Sequence, residues 1–155
     1  AESAAEKEAL WFLRRRVGEA VKAASTYKEE DTVVPRGELP ALLRKVKSLG
    51  VKHGFRSICY GHAGDGNLHI NILRDDLDEA TWNDTLNVAI RELFSEVVAL
   101  GGTLSGEHGI GYVQKNYMDL ACSPKQLAIM RGIKAVLDPK GILNPGKIFP
   151  DAHRR

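Results

Sequence analysis

The chain has 155 residues, 43% of them hydrophobic and 27% charged, which suffices for one globular domain with an apolar core and falls short of two full domains. Its formal charge of +2, with Lys and Arg interspersed among Asp and Glu, excludes a basic nucleic-acid-binding stripe and leaves acidic small molecules open. Two cysteines, Cys59 and Cys122, without CxxC spacing, exclude a disulfide framework and a zinc or redox motif and point to a reducing compartment.

In chain order, the N-terminus AESAAEKEAL is acidic and alanine-rich, unlike a signal peptide. Leu10, Leu13, Val17, Ala20, Val21 and Ala24 recur at helical spacing and predict one amphipathic helix over about Glu6 to Ala24. Arg14 sits on that apolar stripe, while Arg15 and Arg16 turn away from it. EEDTVVPRGELP reads as an edge strand entering a turn at Pro35. Leu39, Leu42, Leu43 and Val46 mark a second helix closed near Gly50. SICYGHA and NLHINIL are strand candidates. A long helix follows from about Asp78 to Leu100, with Trp82, Leu86, Ile90, Leu93, Phe94 and Val97 inward and Gly101-Gly102 as its stop. TLSGEHGIG reads as a short strand running into a glycine-rich loop, and Ser123-Pro124 starts a last helix reaching Leu137. From Lys28 onward the order is strand, helix, strand, strand, helix, strand. That is the order of a ferredoxin-like α+β sandwich, an antiparallel sheet packed with helices and followed here by a helical C-terminal segment. No window approaches eighteen uninterrupted apolar residues, so no transmembrane segment is expected and the cytoplasm is the expected compartment. Peripheral membrane attachment, or an organelle in a eukaryote, stays open.

GHAGDGNLHIN places two of the five histidines around a glycine turn. With Asp65-Gly66 as a two-residue type I′ turn, His62 faces His69 and Tyr60 faces Asn71 across the hairpin. Directly opposed residues have Cβ atoms roughly 4.5–5.5 Å apart, close enough for two imidazoles to share one metal ion. The pleat then sorts Cys59, Leu68, Ile70 and Ile72 onto a core face and Tyr60, His62, His69 and Asn71 onto the other. A catalytic metal wants a third protein ligand and an open position, and Glu107 in SGEHGIG is the best candidate. Two histidines and a carboxylate suit Zn, Mn or Fe(II) alike. If Glu107 points at the metal, His108 points elsewhere and is free to act as a general base.

GHAGDGNLHINIL, GGTLSGEHGIGYVQK and LDPKGILNPGKIF resemble the signature runs of the C-terminal domain of FAD-linked 2-hydroxy-acid oxidoreductases, the family of the glycolate oxidase flavin-binding subunit, D-lactate dehydrogenase and D-2-hydroxyglutarate dehydrogenase. The runs cover over a third of the chain, in the family's order. LWFLRRRV and TYKEEDTVVPRGELP agree more loosely. The resemblance implies a divalent ion, usually zinc, on His62, His69 and Glu107, with His108 as base. It also implies substrate contacts from Asn71, Arg14 and Lys28, and places Asn144 and Lys147 of NPGK close to the flavin. Gly18 departs from the pattern, standing where D-2-hydroxyglutarate dehydrogenase has a substrate-contacting threonine.

The implied protein oxidises a small 2-hydroxy acid to a 2-oxo acid with FAD. The acid would chelate the metal through carboxylate and hydroxyl, His108 would take the hydroxyl proton, and the C2 hydrogen would leave as hydride to the flavin. The glycine-rich phosphate loops of a flavin-binding half have no counterpart before Trp11. Residues 1–155 are therefore expected to be the C-terminal half of the substrate or cap domain, partnered by the protein's own FAD-binding domain, inactive alone and binding metal weakly. The electron acceptor is not legible, and homo-oligomerisation stays open. Two other classes compete: a stand-alone metal-dependent hydrolase using His62, His69 and Glu107, which would need no flavin, and a non-catalytic ferredoxin-like binding module, which would tolerate loss of His108.

Overall fold

A computed structural model describes residues 1–151. Three antiparallel strands form one sheet: β1 (Tyr27–Val33), β2 (Arg56–His62) and β3 (Asn67–Leu73), in the order β1-β3-β2. The expected fourth strand is reduced to one antiparallel bridge between Thr103 and Val33, at the outer edge of β1. The ladder stops there because the next amide groups, from Gly106 onward, turn toward a side chain of β1 and not its backbone. Counting that bridge, the spatial order is still the one expected of a ferredoxin-like sandwich.

Alternation along β3 puts Leu68, Ile70 and Ile72 on one face, where α3 (Leu39–His53) and α4 (Leu86–Ala99) cover them. Leu42, Val46 and Leu49 of α3 and Leu86, Ile90, Leu93, Phe94 and Val97 of α4 are buried against that face. Each such side chain contributes about 1.5–3 kcal/mol through its removal from water. The inward set anticipated for the long helix, Trp82 included, is buried as a whole. That helix opens with a wide turn over Thr81–Thr85, its start held by Asp78 Oδ1 accepting the Thr81 amide at 2.7 Å. Two further helices follow, one of a single turn and one as long as α4. One is α5 (Met118–Ala121); the other is α6 (Pro124–Leu137), whose Ser123 and Gln126 form a reciprocal capping box.

Three expectations need correction. The second helix does not close at Gly50 but runs to His53, with Gly54 in the left-handed conformation as its stop. Gly50 is an interior position kept small by packing, since a Cβ there would lie 2.8 Å from the Phe55 carbonyl oxygen. The N-terminal helix is two, α1 (Ala4–Arg15) and α2 (Val17–Ala24), broken at Arg16 where ψ falls to 0°. Only Val21 of the expected stripe is buried; Leu10 and Leu13 of α1 are more than half exposed.

The hairpin register also differs. His62 pairs with Asn67, Tyr60 with His69, and Ile58 with Asn71. Asp65-Gly66 is not a two-residue turn: Ala63–Asp65 wind into a 3-10 turn and Gly66, at φ 75°, closes it. Gly66 is tied to the end of β1, accepting the Val34 amide at 3.0 Å, and a Cβ there would meet the Val34 carbonyl oxygen at 2.0 Å. The slip is two residues, so every side chain keeps its predicted face.

Candidate metal and acid-base site

The face of the sheet opposite α3 and α4 carries Tyr60 and His62 from β2, Asn67, His69 and Asn71 from β3, and Glu29 and Asp31 from β1. His69 lies at the centre and its side chain is only 6% exposed, whereas His62 and Glu107 are about half exposed. His62 and His69 are diagonal neighbours, with ring centroids 5.9 Å apart and nearly perpendicular. Glu107 Oε1 stands 3.1 Å from His69 Nε2 and 3.6 Å from His62 Nε2. One ligand atom from each of the three residues lies within 4.8 Å of the other two. Two imidazoles and a carboxylate around a half-open space form a donor set suited to a divalent ion with a position left for a ligand. The three residues expected to converge therefore do, although from a different register.

Asp31 explains how Glu107 reaches the histidines. It sits mid-strand, 1% exposed, directly opposite His69. Its Oδ2 accepts the amides of Gly106, Glu107 and His108, each at 2.8 Å, and the Ser105 hydroxyl at 3.0 Å. Its Oδ1 accepts from Asn67 Nδ2 at 2.7 Å. Burial alone would raise this carboxyl; the His108 and Glu107 amides, with Asn67 and Ser105, outweigh it and bring the pKa down to about 2. The Ser105–Gly109 loop thus wraps its backbone around one anion, a nest of amides set by a strand residue. Gly106 permits the approach, because a Cβ would lie 2.0 Å from Asn67 Nδ2.

His108 comes with the loop. Its ring stacks on His69 at 4.9 Å between centroids, with Nε2 3.9 Å from Glu107 Oε1, and its side chain is about half exposed. It also lines a cleft of about 430 Å³ with Tyr27, Glu29, Gly109 and Tyr112. Arg14 is exposed, yet its charge acts on the Tyr60 phenol, and a Cβ added to Gly18 would sit 3.6 Å from the Tyr60 hydroxyl. The start of α2 therefore lies beside the Tyr60 end of the site. Burial and the neighbouring Glu29 carboxylate raise the Tyr60 pKa above that of an ordinary phenol.

The remaining expected residues lie farther out. Asn71 is on the right face but wholly buried, with Nδ2 donating to the Ile58 carbonyl at 3.3 Å. Lys28 is on the other face: β1 alternation turns it toward the wide turn that opens α4, where Nζ donates to the Trp82 carbonyl and lies 4.6 Å from the centre of the Trp82 ring. It makes no contact with the histidines, although it lines the same cleft as His108. Asn144 and Lys147 are exposed, in a segment fastened to the loop beyond His108 by Ile148 donating to the Gly111 carbonyl at 2.7 Å. Glu29 and Asp31 were not anticipated. Their signal in the sequence was present but weak: acidic residues alternating through a short strand, where solvent exposure is the ordinary reading.

The family described as "FAD linked oxidases, C-terminal domain" matches residues 1–148. A D-lactate dehydrogenase from Anaerostipes hadrus is 39% identical over 149 residues, 96% of this chain and 31% of that protein. A D-2-hydroxyglutarate dehydrogenase from Stutzerimonas stutzeri (strain A1501) is 37% identical, covering 90% of this chain and 31% of its own length. Glycolate oxidase subunit GlcD of Bacillus subtilis (strain 168) is 35% identical over 81% of this chain and 27% of the subunit. Among solved structures, the 4-ethylphenol oxidase from Gulosibacter chungangensis superposes with a TM-score of 0.58 at 25% identity, over 84% of this chain and 26% of that one. The chain thus spans about a third of the length of the curated relatives it matches. Among the described residues no helix is long and apolar enough to cross a membrane.

Proposed function

The chain belongs to the C-terminal domain family of FAD-linked oxidases, and on that premise we propose that it is the substrate-side part of an FAD-dependent 2-hydroxy-acid oxidoreductase, working beside an FAD-binding domain of the same protein. The observation that carries this reading is the convergence of His62, His69 and Glu107 on one point, with His108 stacked at its edge. His62, His69 and Glu107 would hold a divalent ion, zinc being the preferred candidate. Bound there, the ion would supply Lewis-acid polarisation of a hydroxyl and carboxylate pair, and a flavin would supply the hydride-accepting chemistry.

The chain's own residues supply the rest. His108, half exposed and fixed by its amide on Asp31, takes the hydroxyl proton at a ring nitrogen. Arg14, beside Tyr60, attracts the substrate carboxylate to this end of the face. Asn71, buried among Tyr60 and Ile58, shapes the floor beneath the acid. Asn144 and Lys147, carried by a segment anchored to Gly111, face the flavin side. D-lactate, glycolate and D-2-hydroxyglutarate are the acids to test, since these are the substrates named for its relatives.

The complete polypeptide carrying this domain provides the test. His108→Ala is expected to lower turnover of the best of those acids by about 10²- to 10⁴-fold with flavin content unchanged. Removal of bound metal by a chelator is expected to abolish oxidation, and added zinc to restore it. A metal-free protein that oxidises at the full rate would overturn the role of His62, His69 and Glu107, and an unimpaired His108→Ala variant would overturn the assignment of the base.

A further inference from the structure

His69 is the most enclosed of the donors and the only one flanked by carboxylates on both sides. Nε2 faces Glu107 Oε1 at 3.1 Å, an acceptor that competes for the ring proton, so a partner at Nδ1 is what lets Nε2 keep its lone pair for the ion. Nδ1 is sealed from solvent and makes no hydrogen bond of standard geometry. A buried ring N–H or lone pair without a partner costs about 1–3 kcal/mol, enough to select whatever arrangement supplies one. Two carboxylates flank Nδ1. Asp31 Oδ1 is 3.9 Å away and already accepts from Asn67, while Asp31 Oδ2 is taken by the loop amides. Glu29 Oε1 is 3.2 Å away, at the end of a side chain 27% exposed and therefore free to swing onto the N–H axis.

We propose that Glu29 is a positioning residue for the metal site: its carboxylate accepts the His69 Nδ1–H and so presents the Nε2 lone pair to the ion. The proposal rests on the reading of His62, His69 and Glu107 as metal ligands. A ring that could flip or change tautomer would point an N–H at the ion half the time, and a carboxylate behind a ligating imidazole removes that freedom. The pleat makes the arrangement possible. Glu29 and Asp31 are two apart in β1 and share a face with His69, so one carboxylate fixes the ring that holds the ion and the other fixes the loop that completes it.

The test uses the complete polypeptide with Glu29→Ala and Glu29→Gln, and two readouts. Zinc affinity is measured by competition with a chromophoric chelator, and the His69 tautomer by ¹⁵N shifts of labelled histidine in the metal-free protein. Glu29→Ala is expected to weaken zinc about 10- to 100-fold and to convert a single Nδ1–H tautomer into a mixture. Glu29→Gln, whose carbonyl oxygen still accepts the N–H, is expected to weaken zinc by less than Ala does and to keep the tautomer. Thermal melting of both variants is expected to match the parent protein. The proposal is overturned by a Glu29→Ala variant with parental affinity and tautomer, by equal losses in Ala and Gln, or by losses that track a lowered melting temperature. Two zinc ions per chain would make Glu29 a ligand and overturn it as well. A parent protein that binds no zinc but shows the single tautomer dependent on Glu29 would sink the metal reading alone.

Discussion

Glu30 and Asp31 are adjacent carboxylates in one strand, both buried, and their acidities are displaced in opposite directions. Glu30 faces the helices, where burial pushes its pKa up to about 7 and the single donation from Gln114 Nε2, at 3.2 Å, only partly offsets it. Asp31 faces the histidines, where burial is outweighed by donors from four residues of the loop and from Asn67, and its pKa falls to about 2. The two faces of the sheet thus treat the same chemical group differently. The helix-covered face is apolar packing that tolerates a carboxyl best when it is neutral. The open face is a scaffold of donors that needs an anion at its centre, and the site hangs from that anion.

The largest expected effect follows from breaking the open face. Asp31→Asn removes the charge and turns an NH₂ toward amides that already donate. It should cost on the order of 3 kcal/mol and release the loop that carries Glu107 and His108. Because the folded pKa of about 2 lies below the ordinary 3.8, Asp31 contributes stability that is present above pH 3.8 and lost as pH falls toward 2. Chemical denaturation followed over that range should show a steeper loss in the parent chain than in Asp31→Asn, where only the other lowered carboxylates contribute. Zinc affinity should fall in parallel at neutral pH. A variant that keeps both stability and zinc would show that the loop holds its shape without the anion.

A smaller effect of opposite sign is expected on the covered face. Glu30 is raised from 4.5 to about 7, so the unfolded chain ionises first and stability falls as pH rises through that interval. Glu30→Gln keeps an acceptor for Gln114 and removes the ionisation. Its denaturation midpoint should match the parent near pH 4 and exceed it at pH 8, by at most about 3 kcal/mol in stability. A parent chain whose stability is flat between pH 4.5 and 7 would refute the assignment.

What was legible in the sequence divides along the same line. The covered face was readable almost residue by residue, because apolar side chains at period 2 or 3.6 have one physical destination; Leu68, Ile70, Leu86 and Phe94 went where their spacing sent them. The open face was readable only where residue type and local spacing coincided. His62, His69 and Glu107 come together as their spacing predicts although the hairpin register slipped, because a slip of two preserves the face. The slip itself came from Gly66 being tied to Val34, a contact between segments more than thirty residues apart that no turn rule contains. Glu29 and Asp31 were out of reach for the same reason. Whether an acidic strand residue meets water or a loop of amides depends on the partner strand and on Gly106, seventy-five residues from Asp31. The exposed apolar residues of α1 are a third case, since helical spacing predicts a stripe without saying what covers it.

The smallest expected effect concerns Lys28, which a family resemblance alone would send to the substrate. One residue of alternation separates it from Glu29, and that residue carries it to the helix face, where burial lowers its pKa and its ammonium rests on the Trp82 carbonyl and ring. A cation over an aromatic ring is worth about 0.5–2 kcal/mol depending on desolvation, and a methionine of similar length recovers much of the packing. Lys28→Met should therefore change stability by about 1 kcal/mol or less and leave the KM for a 2-hydroxy acid within about twofold in the complete polypeptide. A charge-assisted bond to the substrate carboxylate would be worth about 1.5–3 kcal/mol, a rise in KM of at least tenfold. Such a rise, with stability unchanged, would mean that Lys28 leaves Trp82 when the acid binds, and the separation of the two faces would no longer hold at the end of β1 nearest the cleft.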